Sequence, residues 1–348
     1  MTAHTQSSLH GETARYEGGI HQVADGCLAY LQPNGGLGES NVGLIIGDDA
    51  TLVIDTCWDQ NQARRMLDAA APWIAGKPIT TVINTHSNGD HWWGNAAMPP
   101  DATIITSDAS RAAMGRENRL AIAAFTTALD IGAKLPLPHP LRRSLQVART
   151  EFAPFDFWGI RIRYPNRTFT GAMTLTVGDH TLDLVEVGPA HTPGDLMVFD
   201  RERRVVYAGD ILFIGQTPVM WDGPADNWIA ALQMIIDFEP AAIVPGHGPL
   251  ASIDQVGELL SYFQWMDSVA TAMSAAGIPP KVATLNMLNS RNFTSSPWAN
   301  WGRPELLFAG VQATYRQRAR EHREVSQLQM LATMRGIQSI ADTIGTNR

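Results

Sequence analysis

Short apolar runs broken by turn residues dominate the first part of the chain: HQVADGCLAYLQ, the Gly-rich PNGGLGES, NVGLIIG, the turn Asp48-Asp49, then TLVID. Runs of that length between Gly, Asn and Asp predict strands joined by tight turns. From Asp59, DQNQARRMLDAAAPWI spaces its apolar residues like an amphipathic helix, and ITTVINT reads as a buried strand. Strand, helix and strand make a βαβ unit. The short strand TIIT precedes an insertion at about 107–164, whose first part, SDASRAAMGRENRLAIAAFTTALDIGAKL, predicts a helix or helix pair. Its second part, PLPHPLRRSLQVARTEFAPFDFWGI, reads as irregular. From Thr174 the strand pattern resumes with TLTVG, HTLDLVEVG, LMVFD and RRVVYAG, then the helix NWIAALQMIIDF and the strand AAIVPG. The second half thus repeats the order of the first, which predicts two similar halves facing each other.

Beyond His247, SIDQVGELLSYFQWMDSVATAMSAAG predicts a long helix, followed by a loop from about Asn289 to Pro304 and a final helix from about Glu305 to Ile344. In that last stretch Leu306, Leu307, Val311, Tyr315, Val325, Leu328, Leu331 and Met334 give partial helical periodicity. The expected organisation is an N-terminal tail (1–17), a catalytic domain (18–250) and a C-terminal helical extension (251–348). The extension is expected to pack on its own domain, with self-association into a homo-oligomer as the alternative role.

Composition changes this picture little and excludes several functions. With 45% hydrophobic and 17% charged residues the chain is an ordinary globular protein. Its 34 acidic against 26 basic residues give a formal charge of -8, and no long basic run could neutralise a phosphate backbone. Nucleic acid is not an expected partner. Two cysteines, Cys27 and Cys57, without CxxC spacing, read as reduced thiols. The opening residues lack the basic start and apolar stretch of a signal peptide. No window approaches the roughly 20 apolar residues that cross a bilayer. The expectation is a cytoplasmic protein acting on a small molecule, with no membrane partner.

Candidate chemistry concentrates in NTHSNGDHWWGN at residues 84–95, directly after a predicted buried strand. His86, Asp90 and His91 place two imidazoles and a carboxylate on a loop, the donors a borderline divalent ion such as Zn²⁺ accepts. Three further candidates follow apolar runs and are flanked by Gly or Pro: His191 in GPAHTPGD, Asp210 in YAGDILF and His247 in VPGHGPL. Strand ends are where a rigid sheet presents functional groups. GxSxG is absent, and neither cysteine lies near a candidate base in sequence.

HxxxDHxxGN, then an HTPGD turn, a GD after a strand, and PGHG together resemble the ordered signature of the metallo-β-lactamase superfamily, over roughly Gly18 to Leu250. The resemblance implies an α/β fold, a four-layer αββα sandwich with the metals in a cleft at one edge of the sheets. It implies that His86 and His191 belong to a first metal site, Asp90, His91 and His247 to a second, and that Asp210 bridges them. One departure is plain: the family's commonest pattern is HxHxDH, and Asn88 stands at its second His. An amide oxygen is a weaker donor for such an ion than imidazole. Site one should therefore be weakened or take a harder ion such as Mn²⁺ or Fe²⁺, with Asn88 a weak ligand or a hydrogen-bonding neighbour.

The implied activity is metal-assisted hydrolysis with one or two zinc ions, in which the metal lowers the pKa of bound water from 15.7 to about 7 and supplies hydroxide. Asp90 would both bind metal and orient that water. The substrate would be a small molecule carrying an ester, lactone, thioester, amide or phosphoester bond. A non-haem iron oxidoreductase on the same fold is the alternative; such relatives usually carry Glu where this chain has Asn88. Trp93 and Trp221, near the motif loops, are candidate pocket walls, with core packing an equal reading. His21, His139, His180 and His322 lack such a context and read as surface or packing residues.

Overall fold

The computed structural model describes residues 7–136, 138–319, 325 and 327–345. Seven strands build the first sheet in chain order: β1 (Gly19–Ala24), β2 (Cys27–Leu31), β3 (Val42–Ile46), β4 (Thr51–Ile54), β5 (Ile79–Ile83), β6 (Thr103–Ser107) and β7 (Arg167–Phe169). The second sheet contains β8 (Ala172–Val177), β9 (His180–Glu186), β10 (Leu196–Asp200), β11 (Val205–Tyr207) and β12 (Ala242–Val244), ordered β12-β11-β10-β9-β8. Antiparallel neighbours follow one another along the chain without an intervening α-helix. The parallel pairs β4·β5 and β11·β12 are joined instead by helices α1 (Gln60–Ile74) and α6 (Ala225–Phe238), since a parallel return needs a crossover.

Alternation along the strands sorts the apolar side chains into three layers. Cys27 and Ala29 of β2, Leu52 and Ile54 of β4, Leu196 and Val198 of β10 and Val205 and Tyr207 of β11 meet between the sheets. Their neighbours Leu28, Val53, Val82 and Ile104 point the other way, onto Ala63, Met66 and Ala70 of α1. Met197, Phe199 and Val206 face outward from the second sheet onto Trp228, Leu232 and Ile235 of α6 and Leu259 and Phe263 of α7 (Ile253–Ala275). Helix, sheet, sheet and helix make the four-layer αββα sandwich that the resemblance implies.

The insertion between β6 and β7 carries α3 (Asp108–Ala113), α4 (Arg119–Gly132) and α5 (His139–Phe152), with α2 (Gly89–Trp92) preceding it in the motif loop. The helix pair is as expected; the irregular reading of 136–160 is corrected by α5. Pro138 and Pro140 hid that helix, yet they stand at its N-terminal end, where the missing N–H costs nothing. Asp59 caps α1 through its Oδ1 (Gln62 N, 2.8 Å) and accepts the Asp156 N–H on Oδ2 at 2.9 Å, tying the insertion's far end to the core.

The C-terminal stretch also departs from expectation. Helix α8 (Pro280–Leu288) occupies a stretch to which no element was assigned, the short α9 (Arg291–Thr294) occupies part of what read as loop, and the single terminal helix is two, α10 (Leu307–Arg318) and α11 (Gln327–Gly345). Helix α10 ends at the start of the run RQRAREHRE, whose charged residues interrupt the apolar period. Residues 320–324, with His322, lie outside the described residues, as do 1–6 of the tail; the side chains of His139, Leu328 and Leu331 are likewise not described. Leu307, Phe308 and Val311 of α10 and Ile337 and Ile340 of α11 bury into the same cluster as Trp228 and Phe263. No described helix is long and apolar enough to cross a membrane.

Candidate metal centre

Six side chains converge where the strands of both sheets end. His86 follows β5, Asp90 and His91 ride on α2, His191 follows β9, Asp210 follows β11 and His247 follows β12. Asp210 stands in the middle, with its oxygens divided between two groups. Its Oδ2 lies 3.7 Å from His86 Nε2 and 3.3 Å from His191 Nε2, while Oδ1 lies 3.1 Å from His91 Nε2 and 3.6 Å from His247 Nε2. Asp90 Oδ2 joins the second group, 3.3 Å from His247 Nε2 and 3.7 Å from His91 Nε2. Five of the six side chains are at most 7% exposed, whereas Asp90 is 16% exposed and marks the side open to solvent.

The imidazoles are aimed from behind. His191 Nδ1 donates to Val219 O at 2.6 Å, and His86 Nδ1 lies 3.0 Å from Thr85 Oγ1, whose hydroxyl donates onward to Asp55 Oδ2 at 2.7 Å. His91 Nδ1 donates to that same Asp55 oxygen at 2.7 Å. With their protons on Nδ1, all three rings turn Nε2 inward as an electron-pair donor. Asp55 also accepts the Thr85 N–H at 2.7 Å, so one buried carboxylate aligns both His91 and the backbone before His86. The sequence reading missed it. Its signal is its place at the end of β4, beside the strand that delivers the motif.

Whether these residues fit a divalent ion can be judged on their unmet polar atoms. His86 Nε2 and Asp210 Oδ1 are buried without a hydrogen bond among the described residues. His91 Nε2 and His247 Nε2 are 3.4 Å apart, a spacing two lone pairs keep only with a proton or a cation between them. Nitrogen and carboxylate oxygen are the donors of zinc and its neighbours, and the fit is good.

The charges agree with that fit. Burial pushes His86 well below imidazole's usual value, with His91 adding to the effect. Burial opposes charge on His91 and His247 too, but Asp210 and Asp90 outweigh it and hold both above that value. Asp210, despite its burial, is held well below the usual carboxylate range by His91, His247 and His86. Protons on His91 and His247 therefore balance the carboxylates in the metal-free centre, and binding must displace them. Affinity for Zn²⁺ should accordingly rise with pH, by up to about tenfold per unit for each displaced proton, until those imidazoles have deprotonated. Dissociation constants at pH 6 and pH 8 measure this, and a flat profile contradicts it.

The last two residues of the motif hold the loop. Asn95 donates to Asn84 Oδ1 at 2.8 Å and accepts from Asn84 Nδ2 (3.0 Å) and Thr56 Oγ1 (2.9 Å). Gly94 lies so close to β4's continuation that a Cβ there would come within 1.7 Å of Thr56 O. Gly94→Ala should cost about 3 kcal/mol or more; a chemical denaturation midpoint equal to wild type would contradict this packing.

Asn88 sits at the N-cap of α2 without capping it, its Nδ2 donating instead to Glu117 Oε1 at 2.7 Å in the insertion. Burial, reinforced by Asp90, pushes Glu117 up to about 7. Trp93 is buried in an aromatic cluster with Trp58, Trp92, Phe155 and Phe157 beneath the insertion. Trp221 is half-buried, and its N–H donates to His191 O at 3.2 Å. Arg316 of α10 in turn donates to Trp221 O at 2.5 Å, so the C-terminal helices brace the loop behind His191. His180 is a packing residue: with Cys27 it donates to buried Asp200, at 2.5 and 3.3 Å, at the opposite end of β9 and β10. Both thiols are buried, and burial pushes both far above a reactive range.

Comparison with known proteins adds to this geometry. The family model described as metallo-beta-lactamase superfamily matches residues 35–105 and 123–247. Among curated proteins the chain is similar to 2,4-dinitroanisole O-demethylase subunit alpha of Nocardioides sp. (strain JS1661), 23% identical over 58% of this chain and 51% of that one. It is also similar to the acyl-coenzyme A thioesterase MBLAC2 of Gallus gallus, 22% identical over 74% of this chain and 90% of that one. Among solved structures, the inverting sec-alkylsulfatase Pisa1 from Pseudomonas sp. superposes with a TM-score of 0.66 at 15% identity, over 90% of this chain and 53% of that one. The FIM-1 metallo-beta-lactamase of Pseudomonas aeruginosa, in a mono-zinc form, gives 0.50 at 16%, over 71% and 94%. The chain thus spans about half the length of the demethylase subunit and of the alkylsulfatase.

Proposed function

The chain belongs to the metallo-β-lactamase superfamily, and from that premise we propose that it is a metal-dependent hydrolase of a small organic substrate. The carrying observation is Asp210, whose two oxygens face separate pairs of imidazoles, His86 with His191 and His91 with His247. Asp90 extends the second group, and Asn88 would join the first as a weak ligand or a hydrogen-bonding neighbour, so that the set would hold one or two ions, zinc first and manganese or iron as alternatives. When bound, the metal supplies Lewis acidity toward water and toward the substrate's acyl, phosphoryl or sulfuryl oxygen.

The protein's own residues do the rest. Asp90 is the one member of the set open to solvent, so substrate and water approach along it. Its carboxylate, held ionised by His91 and His247 against the effect of burial, is placed to accept the proton of the attacking water and pass it to the leaving group. Trp221, half-buried on the loop behind His191, is placed to wall the approach, whereas Trp93 packs as core.

The thioesterase and alkylsulfatase relatives support thioester and sulfate-ester substrates beside the lactones and carboxylic esters expected from the motif. The one competing reading is the non-haem iron oxidoreductase on the same fold, with oxidative cleavage in place of hydrolysis. The two part on the source of oxygen. Turnover in ¹⁸O-labelled water should place the label in the product, with no dioxygen consumed; turnover that requires dioxygen overturns the hydrolase reading.

A further inference from the structure

One contact between the insertion and the motif loop runs through a carboxylate. Glu117, in the link between α3 and α4, accepts the Asn88 Nδ2–H on Oε1 at 2.7 Å and the Gly89 N–H on Oε2 at 2.8 Å. The amide turns its NH₂ toward Glu117, Nδ2 to Oε1, and its oxygen away. That oxygen is buried and has no hydrogen-bond partner among the described residues. An Asn at an N-cap ordinarily folds its oxygen back onto the helix's first N–H groups; Asn88 does not. Gly89 completes the clamp, because a Cβ there would come within 2.8 Å of Glu117 Oε2 and 2.7 Å of the Trp93 ring.

We propose that Glu117 is a positioning residue that fixes the Asn88 amide with Oδ1 turned into the metal centre, making an amide oxygen the donor that completes the His86–His191–Asp210 group. The inference rests on the proposed function, since it presupposes that the centre takes metal. It assigns the insertion a part in the centre: to set which end of an ambiguous side chain the ion meets.

Glu117→Gln separates this role from a merely structural one. Glutamine has the same shape but offers one acceptor and one NH₂, while two donors face it. The Gly89 N–H cannot rotate, so it keeps the acceptor; the Asn88 amide must flip, turning NH₂ inward. Zn²⁺ titrated into the metal-free full chain against a chromophoric chelator should bind about tenfold more weakly at one site in this variant, and Asn88→Ala should match it. Combining Asn88→Ala with Glu117→Gln should add nothing further, because Glu117 acts only through Asn88. The polarity-reversed pair Asn88→Asp with Glu117→Gln should restore wild-type affinity or exceed it, since the introduced glutamine can donate to one carboxylate oxygen and leave the other for the ion. Wild-type affinity in Glu117→Gln, or no recovery in the reversed pair, overturns the inference while leaving the hydrolase reading intact. Failure of the wild-type chain to bind Zn²⁺ overturns both.

Discussion

Replacing Asp210 by alanine is expected to empty the centre of metal and abolish turnover together. The carboxylate is shared: Oδ2 faces His86 and His191, and Oδ1 faces His91 and His247. Its loss removes a charged donor from both groups at once, whereas any single imidazole belongs to one. Loss of a mere supporting neighbour typically costs 10–100-fold in metal affinity, so the shared ligand should cost more than about a hundredfold. The fold should survive, because among the described residues Asp210 makes no hydrogen bond that holds the backbone, and alanine leaves four imidazoles free to stay neutral. Circular dichroism and zinc content measure the two halves of this expectation. A folded Asp210→Ala protein that retains metal and turns over near the wild-type rate would sink the assignment.

Asp55→Asn should produce nearly as large a loss by a different route. Asp55 never meets the ion, but its Oδ2 accepts from both His91 Nδ1 and Thr85 Oγ1, and its Oδ1 accepts the Thr85 N–H. Asparagine keeps the acceptor for Thr85 N–H and tolerates the left-handed backbone at this position, where φ is 66°. Its NH₂, however, replaces the oxygen facing His91. The ring answers by becoming an acceptor at Nδ1, which moves its proton to Nε2 and withdraws that nitrogen from the centre. Metal affinity should fall 10–100-fold in a chain whose fold is kept. Asp55→Ala, by contrast, strands the buried Thr85 N–H and should also cost about 1–3 kcal/mol of stability. If Asp55→Asn binds zinc like wild type, the Asp55 contact does not set the tautomer of His91.

Much of this centre was legible before any coordinates. His86, Asp90, His91, His191, Asp210 and His247 stand in a recognisable order, each after an apolar run, because a strand end is a fixed platform whose address is written locally. The order of strand runs and crossover helices made two facing halves legible, while the four-layer sandwich was implied by the resemblance alone. What escaped was whatever depends on contact across the chain. Asp55 reads as the last letter of a strand, and only the parallel pairing of β4 with β5 brings it to Thr85 and His91. Glu117 reads as one more charged residue of the predicted helix pair, and only the fold of the insertion sets it against Asn88. Helix α5 was hidden by prolines that a helix accepts at its start, and the strand β7, three residues long, is too short to leave a pattern.

The most direct test of the account is metal content and activity measured on one preparation of the full chain. Purified without added metal, assayed, stripped by chelation and reloaded, the protein should carry one or two divalent ions per chain. It should lose ester, lactone or thioester cleavage with them, and recover it on return of zinc, manganese or iron. Undiminished cleavage by the stripped chain, or a wild-type chain that takes up no metal, would contradict it.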